Sequence, residues 1–424
     1  MQAPVKSSSC PASWRLGFVR LLVVGAVAAC SFSLAQAQDE AATAARKASL
    51  ERIQALRRER PGDGLLVYYQ ALTHVALGER DAAFDLLRSL KGRKLGLIPV
   101  RDMGWDAVWE DATFQTIRKE LVDEEPETPA APVAFRLKDR KLIPEGIAYD
   151  PNSKRFFLGS SLGKIIATEA KGEARDFSTP DDKLDFVLGL AVDAKRGHLY
   201  AVSTNGFLDE AKTDRRNAVV RYDLKNGRLL DRFVTPEAMQ LNDLAIAPDG
   251  TLYVTDSLDG SLFRKKPDEK GLTNLGTKGG LRGVNGVALS KDGGALYVGI
   301  STGIARVDTT TGAPMRLPQP DDVATGGIDG LYWHDGALFA MQNVTNPGRV
   351  VRIDLAEEGN RIAGLTVLQS HHHPDFATPT TGAIANGALY VIANSHVGQH
   401  QPDGTVKNPE TLKEPTIIAV PLQR

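Results

Sequence analysis

Six related segments recur along the last two thirds of the chain, and nothing else in the sequence limits the fold so strongly. They begin at Pro144 (PEGIAYDPNSKRFFLGS), Val187 (VLGLAVDAKRGHLYAVS), Leu241 (LNDLAIAPDGTLYVTDS), Val284 (VNGVALSKDGGALYVGI), Ile328 (IDGLYWHDGALFAMQN) and Thr380 (TTGAIANGALYVIANS). Each reads as a short apolar strand, a turn rich in Asp, Asn and Gly, and a second alternating strand, which is a hairpin signature. A third strand follows in every unit, at Gly163, Asn217, Gly260, Gly303, Gly348 and Pro415. One position just before each first strand serves as an anchor: Glu145, Leu188, Asn242, Asn285, Asp329 and Thr381, spaced by 43, 54, 43, 44 and 52 residues. Four-stranded units at that spacing are propeller blades, so the expectation is a mainly β, six-bladed β-propeller over residues 133–424. The sixth unit ends on its third strand. Residues Val133–Lys141 are therefore expected to supply its fourth and close the ring, which removes the exposed sheet edge.

The sequence before the propeller divides into three parts. Residues 1–37 read as a leader: Lys6, Arg15 and Arg20 precede an apolar run from Leu21 to Ala29, and Ala35-Gln-Ala37 gives the small-x-small cleavage pattern. Cleavage before Gln38 would place the protein in the periplasm or outside the cell. A rival reading takes Val27-Ala-Ala-Cys30 as a lipoprotein box, with Cys30 lipidated. Both cysteines, Cys10 and Cys30, lie in the leader, so no disulfide is expected downstream. Residues 38–122 carry helical periodicity, and Leu65–Leu90 resembles one tetratricopeptide hairpin broken at Gly78. A helix from Trp105 to Ile117 should pack beside it. This segment reads either as a groove for a protein partner or as a small cap docked on the propeller. Residues 123–132 (DEEPETPAAP) are acidic and rich in Pro and Ala, and read as a linker.

Bulk composition excludes some partners. Lys+Arg is 51 against Asp+Glu 52, a net charge of −1, which gives no general attraction to nucleic acid or anionic membrane. No apolar stretch after the leader is long enough to cross a membrane as a helix. No phosphate-binding glycine loop is present.

The anchors are where chemistry is expected. The first strand of a blade lies nearest the axis, so the six anchors should ring one mouth of the central channel. Their identities differ: four offer hard oxygen donors, two acids and two amides. That set suits Ca²⁺ first, with Mg²⁺, Mn²⁺ or Zn²⁺ as alternatives. Asn and Asp also satisfy backbone groups at the start of a strand, but turn chemistry alone would repeat one residue around the ring.

At these residues the chain resembles the senescence marker protein/gluconolactonase/luciferin-regenerating enzyme family, through Pro144-Glu-Gly, Leu241-Asn-Asp, Val284-Asn-Gly and Ile328-Asp-Gly. The paraoxonases and strictosidine synthases are more distant look-alikes. The resemblance implies a divalent cation held by Glu145, Asn285 and Asp329, with Asn242 in or beside its shell and Asp329 as the catalytic carboxylate. It departs at Gln240, where the sugar-lactone hydrolases carry a substrate-binding Arg. Gln240, Asn242 and Thr381 then become candidate substrate contacts. His373 joins them as the foremost of the tract His371-His-His-Pro-Asp-Phe376, which lies before the sixth anchor. The implied activity is metal-dependent hydrolysis of a small-molecule lactone or related ester. The alternatives are a non-catalytic envelope propeller acting as a binding or scaffold module, and a carbon–carbon bond-forming enzyme for which no general acid or base is visible. Two long second-to-third-strand loops, residues 204–216 and 396–414, are expected on the anchor face. Because the polar ring is complete within the propeller, the helical segment is expected to be dispensable for it.

Overall fold

The computed structural model describes residues 40–169, 173–206, 214–277, 280–401 and 404–423. The leader with both cysteines lies outside these residues, as do 207–213 and 402–403 within the two long loops. Among the described residues no helix is long and apolar enough to cross a membrane.

Six four-stranded antiparallel sheets make the propeller. Blade one contains Pro144–Asp150, Arg155–Ser160, Lys164–Thr168 and Ala174–Asp176. The innermost strands of the next four blades are Phe186–Asp193, Leu241–Ile246, Val287–Leu289 and Ile328–His334. Blade six joins Gly382–Ala385, Ala388–Ile392 and Thr416–Pro421 to an outermost strand, Val133–Arg136, from the other end of the domain. Val133 faces Ile418 and Arg136 faces Thr416. The ring thus closes by hydrogen bonds between distant parts of the chain, as the repeat count requires.

The apolar pattern explains the stacking. The inner strands of each blade are largely buried on both faces, and alternate residues serve different interfaces. In Arg155–Ser160, Phe156 and Leu158 pack toward blade six with Ala383, Ile392 and Ile417. Phe157 packs toward blade two with Val187, Leu199 and Ala201. Each of the six blade interfaces has its own apolar cluster of this kind.

Near the axis the blades converge, and glycine follows the anchor in five of six units. A Cβ on Gly146 would stand 1.9 Å from the Leu188 carbonyl oxygen, and one on Gly286 2.4 Å from that of Asp329. In blades one, two, three and five the pairing register shifts across the anchor and the residue after it. Such a bulge re-aims side chains out of the ladder.

Among the described residues four helices precede the propeller: α1 (residues 40–59), α2 (Gly64–Ala76), α3 (Arg80–Arg88) and α4 (Ala112–Asp123). Gly78, at φ 80°, turns the chain between α2 and α3. The third helical stretch starts later than the periodicity suggests. Asp111 accepts the backbone N–H groups of Thr113 and Phe114 and caps α4, whereas residues 101–108 form short turns around Gly104, at φ 92°. Trp105 is nonetheless central: it is fully buried, stacks on Phe114, and donates Nε1–H to the Tyr68 hydroxyl at 3.0 Å.

This helical unit docks on the propeller. Ala324 of the propeller belongs to its apolar core. The Ile98 N–H donates to Thr345 O (2.8 Å), Asn346 Nδ2 to Gly96 O (2.9 Å), and Arg316 pairs with Asp63 (3.0 Å). Residues 124–132, linker-like in composition, run along the propeller surface. Glu125 is buried against Arg349, and the Ala131 N–H donates to Gln369 Oε1 at 2.7 Å.

Candidate metal centre at the channel mouth

Each anchor opens an innermost strand, so the six converge from different blades at one end of the axis. The second-to-third-strand turns reach the same end. Asn242 Nδ2 donates to Ser257 Oγ in its own blade's turn (2.8 Å), and Ser395 Oγ of blade six donates to Pro144 O (2.6 Å).

Asp329 is the best-held member. Its Oδ1 accepts from Asn285 Nδ2 (2.9 Å), across the blade boundary, and its Oδ2 from Asn343 Nδ2 (2.6 Å), in its own blade's turn. Asn343 also donates to Pro379 O at 2.8 Å, which ties blade five to blade six. Glu145 stands across the mouth, buried at 6% exposure, and its Oε2 finds no hydrogen-bond partner.

A third acid joins them. Asp243 follows the blade-three anchor, at the position where the other five blades have glycine. Its Oδ1 accepts its neighbour Leu244 N–H (2.8 Å) and its Oδ2 the Val287 N–H of blade four (3.2 Å). The Tyr332 hydroxyl accepts the Gly382 N–H at 2.6 Å and feels all three acids.

The electrostatics follow from burial without compensation. Desolvation, then the charges of Asp329 and Asp243, push the Glu145 carboxyl well above the carboxylate range. Desolvation outweighs two backbone N–H donors and the Asp329 charge pushes the same way, so the Asp243 carboxyl is pushed up to about 7. Asp329 is also raised, by burial, although Asn343 and Asn285 pull it back. Among the described residues no Lys, Arg or His figures in the causes for any of the three.

The remaining sequence candidates divide. Asn285 meets Asp329 directly, whereas the Asn242 amide is turned to Ser257. The Thr381 hydroxyl donates to Glu145 O at 2.5 Å, so it braces the backbone of the adjacent blade's anchor. Leu188 is fully buried between blades two and three and lines nothing. Gln240 is buried at the mouth, with Gly206 packed against its side-chain stem and its backbone N–H held by Asp256 Oδ1 (2.9 Å). Asp256 also takes the Met239 and Asp259 N–H groups, so it shapes a turn. His373 lies apart from the anchors: Nε2 bonds Ala131 O (2.9 Å), and Nδ1 accepts the Asp375 N–H (3.1 Å). Both ring nitrogens are occupied by backbone.

Sequence reasoning missed Asp243, Asn343 and Tyr332. Asp243 carried a signal, as the one acid among five glycines. Asn343 carried none, because an Asn after a strand reads as turn chemistry.

The donor set fits a hard divalent cation. It offers a buried carboxylate oxygen without a partner, a second carboxylate facing it, and amides that can present oxygen. Among the described residues no three His, Cys, Asp or Glu side chains cluster closely enough to hold an ion by themselves. A cation here would need the amide oxygen of Asn285, reached by a half-turn of its carboxamide.

Comparison with known proteins gives no family model that matches the chain and no matching curated protein. Solved structures similar to it include an oxidoreductase of the glucose dehydrogenase type from Thermus thermophilus (19% identity, 69% of this chain and 99% of that one, TM-score 0.46). A PQQ-bound aldose sugar dehydrogenase from Streptomyces coelicolor is similar at 16% identity (70% and 99%, TM-score 0.47). Virginiamycin B lyase from Staphylococcus aureus is similar at 17% (68% and 88%, TM-score 0.43). Likenesses at these identities and scores carry no argument about chemistry.

Proposed function

We propose that this protein is an exported, divalent-cation-dependent hydrolase of a lactone or related ester, acting at the anchor end of the propeller channel. The observation that carries the reading is the buried Glu145 carboxylate, with one oxygen unpartnered and two further acids close enough to raise its pKa. Burying acids together without a counter-charge costs stability, and a cation is what such a site lacks.

Glu145, Asn285 and Asp329 would hold the ion, with Asn242 beside it; Ca²⁺ is the first candidate. When bound, it supplies Lewis-acid polarisation of a carbonyl. The chain's own residues do the rest. Asn285 and Asn343 fix the Asp329 carboxylate from both sides, so it can orient a water at a constant angle. Asp243, buried beside these acids and held by the Leu244 and Val287 N–H groups, is the candidate to accept that water's proton. The leader pattern supports export, with the Cys30-anchored lipoprotein as the other form of it.

The test is metal analysis of the purified protein together with a lactone and ester panel, run with and without chelator. Turnover lost on chelation and restored by one divalent cation is expected. A bound cation with no turnover of any substrate would favour the binding-module reading.

A further inference from the structure

Resting on that reading of the channel site, we infer that the helical unit and the 124–132 stretch that leaves it are part of it: Glu125, through Arg349, positions the blade-five turn whose Asn343 grips Asp329. The composition of residues 123–132 suggests separability, and the contacts run the other way.

The turn between the second and third strands of blade five, residues 343–348, is clamped at both ends. At one end Arg349 is 2% exposed and Glu125 5%, with Nη1 3.4 Å from the carboxylate. Arg349 Nη2 donates to Leu95 O (2.9 Å) and Nε to Gln342 Oε1 (2.9 Å). Gln342 Nε2 continues to Gly326 O (2.6 Å) and Ala324 O (3.2 Å), in the segment leading into the blade-five anchor. On the turn itself, Thr345 O and Asn346 Nδ2 are bound by the helical unit's own Ile98 N–H and Gly96 O. Asn343 is next to Gln342, its N–H donates to Gly327 O (3.2 Å), and its side chain reaches Asp329 at 2.6 Å.

Every covalent neighbour of Asn343 is thus held by a group whose other contact is the helical segment or the approach to Asp329. The approach of Arg349 to Gly96 is close enough that a Cβ there would sit 1.7 Å from Nη1. A planar guanidinium held through Nε, Nη1 and Nη2 transmits position where a flexible cation would not. Groups that orient a metal-binding carboxylate in this way commonly change affinity 10–100-fold when removed.

The test uses the full chain and Ca²⁺ as the probe. Calorimetry on Glu125→Gln should show about tenfold weaker binding, and the same change in an Asn343→Ala background should add little, because both act through one contact. Asn346→Ala removes a clip without removing a charge, and should weaken binding in the same direction. Asp63→Asn loosens another seam between the helical unit and the propeller, at Arg316, and should leave affinity unchanged. A second readout needs no metal. In amide NMR spectra of the metal-free protein, the Asn343 side-chain protons should move to the position of an unbonded carboxamide in Glu125→Gln, while those of Asn242 stay. Unchanged Ca²⁺ affinity and unmoved Asn343 protons in Glu125→Gln would overturn the inference. If no cation binds even the wild type, the metal reading falls, and the NMR shift alone decides whether the helical segment positions Asn343.

Discussion

Glu125 and Glu145 are equally buried, 5% and 6% exposed, yet the fold treats them in opposite ways. Glu125 lies at the seam between helical unit and propeller and meets Arg349, itself held by Gln342 and Leu95. Glu145 lies at the channel mouth with one oxygen unpartnered and two acids for company. The first arrangement is complete in the folded chain. The second is uncompensated within the chain, and burial with the neighbouring acids raises the carboxyl. The contrast separates a charge compensated at the seam between two units from charges left uncompensated at the channel mouth.

The largest expected effect breaks the paired glutamate. Glu125→Ala leaves a buried guanidinium uncompensated and should destabilise the protein by about 3–5 kcal/mol in urea unfolding. Glu145→Gln in metal-free protein should cost nothing or stabilise, since it removes one of three mutually repelling acids. Equal losses from both would erase the distinction.

Cation binding comes next. Ca²⁺ at one hundred times Kd should stabilise the wild type by about 2.7 kcal/mol, and thermal unfolding should show no such shift for Asp329→Ala. Equal shifts in the two proteins would put the ion elsewhere.

The pH response has a sign that follows from the raised carboxyls. Asp243 moves from an ordinary 3.8 to about 7 on folding, so the native state binds the proton more tightly than the unfolded one. Its contribution favours folding below 3.8 and is lost as pH rises from there through about 7. Glu145 and Asp329 act in the same direction. Metal-free protein should therefore lose on the order of 2 kcal/mol between pH 5 and pH 8 in denaturant titrations. Saturating Ca²⁺ should flatten or reverse that slope. A metal-free protein more stable at pH 8 would mean that the acids are compensated after all.

What the sequence made legible was whatever repeats. Six hairpins and six third strands fixed the blades, and the uneven anchors marked one mouth. The closing strand followed from counting. Contacts without a period stayed hidden. Glu125 and Arg349 are far apart in the chain, and an acidic, Pro-rich stretch looks the same whether it floats or is pinned. Asn343 could not be told from any other turn residue. His373 shows the reverse failure: a histidine tract suggests ligands, but burial against residue 131 gave both ring nitrogens to the backbone. The start of α4 was misplaced because Trp105 and Trp109 continue the apolar period through a stretch whose backbone turns at Gly104.

The smallest expected effect concerns selectivity at the incomplete site. By the resemblance drawn from the sequence, Gln240 stands at the position where the sugar-lactone hydrolases carry their substrate-binding Arg, and Asp243 adds a third acid to the mouth. A neutral amide forgoes a charge-assisted hydrogen bond, a difference of about 1 kcal/mol or roughly fivefold in kcat/KM. The wild type should therefore turn over a neutral aliphatic lactone better than gluconolactone at equal Ca²⁺. The position is suited to a swap, because the Gln240 backbone is fixed by Asp256 and its stem by Gly206. Gln240→Arg should shift the ratio toward gluconolactone by about that factor, without changing Ca²⁺ affinity much. A wild type that already prefers gluconolactone would show that the mouth recognises substrate hydroxyls through groups other than residue 240.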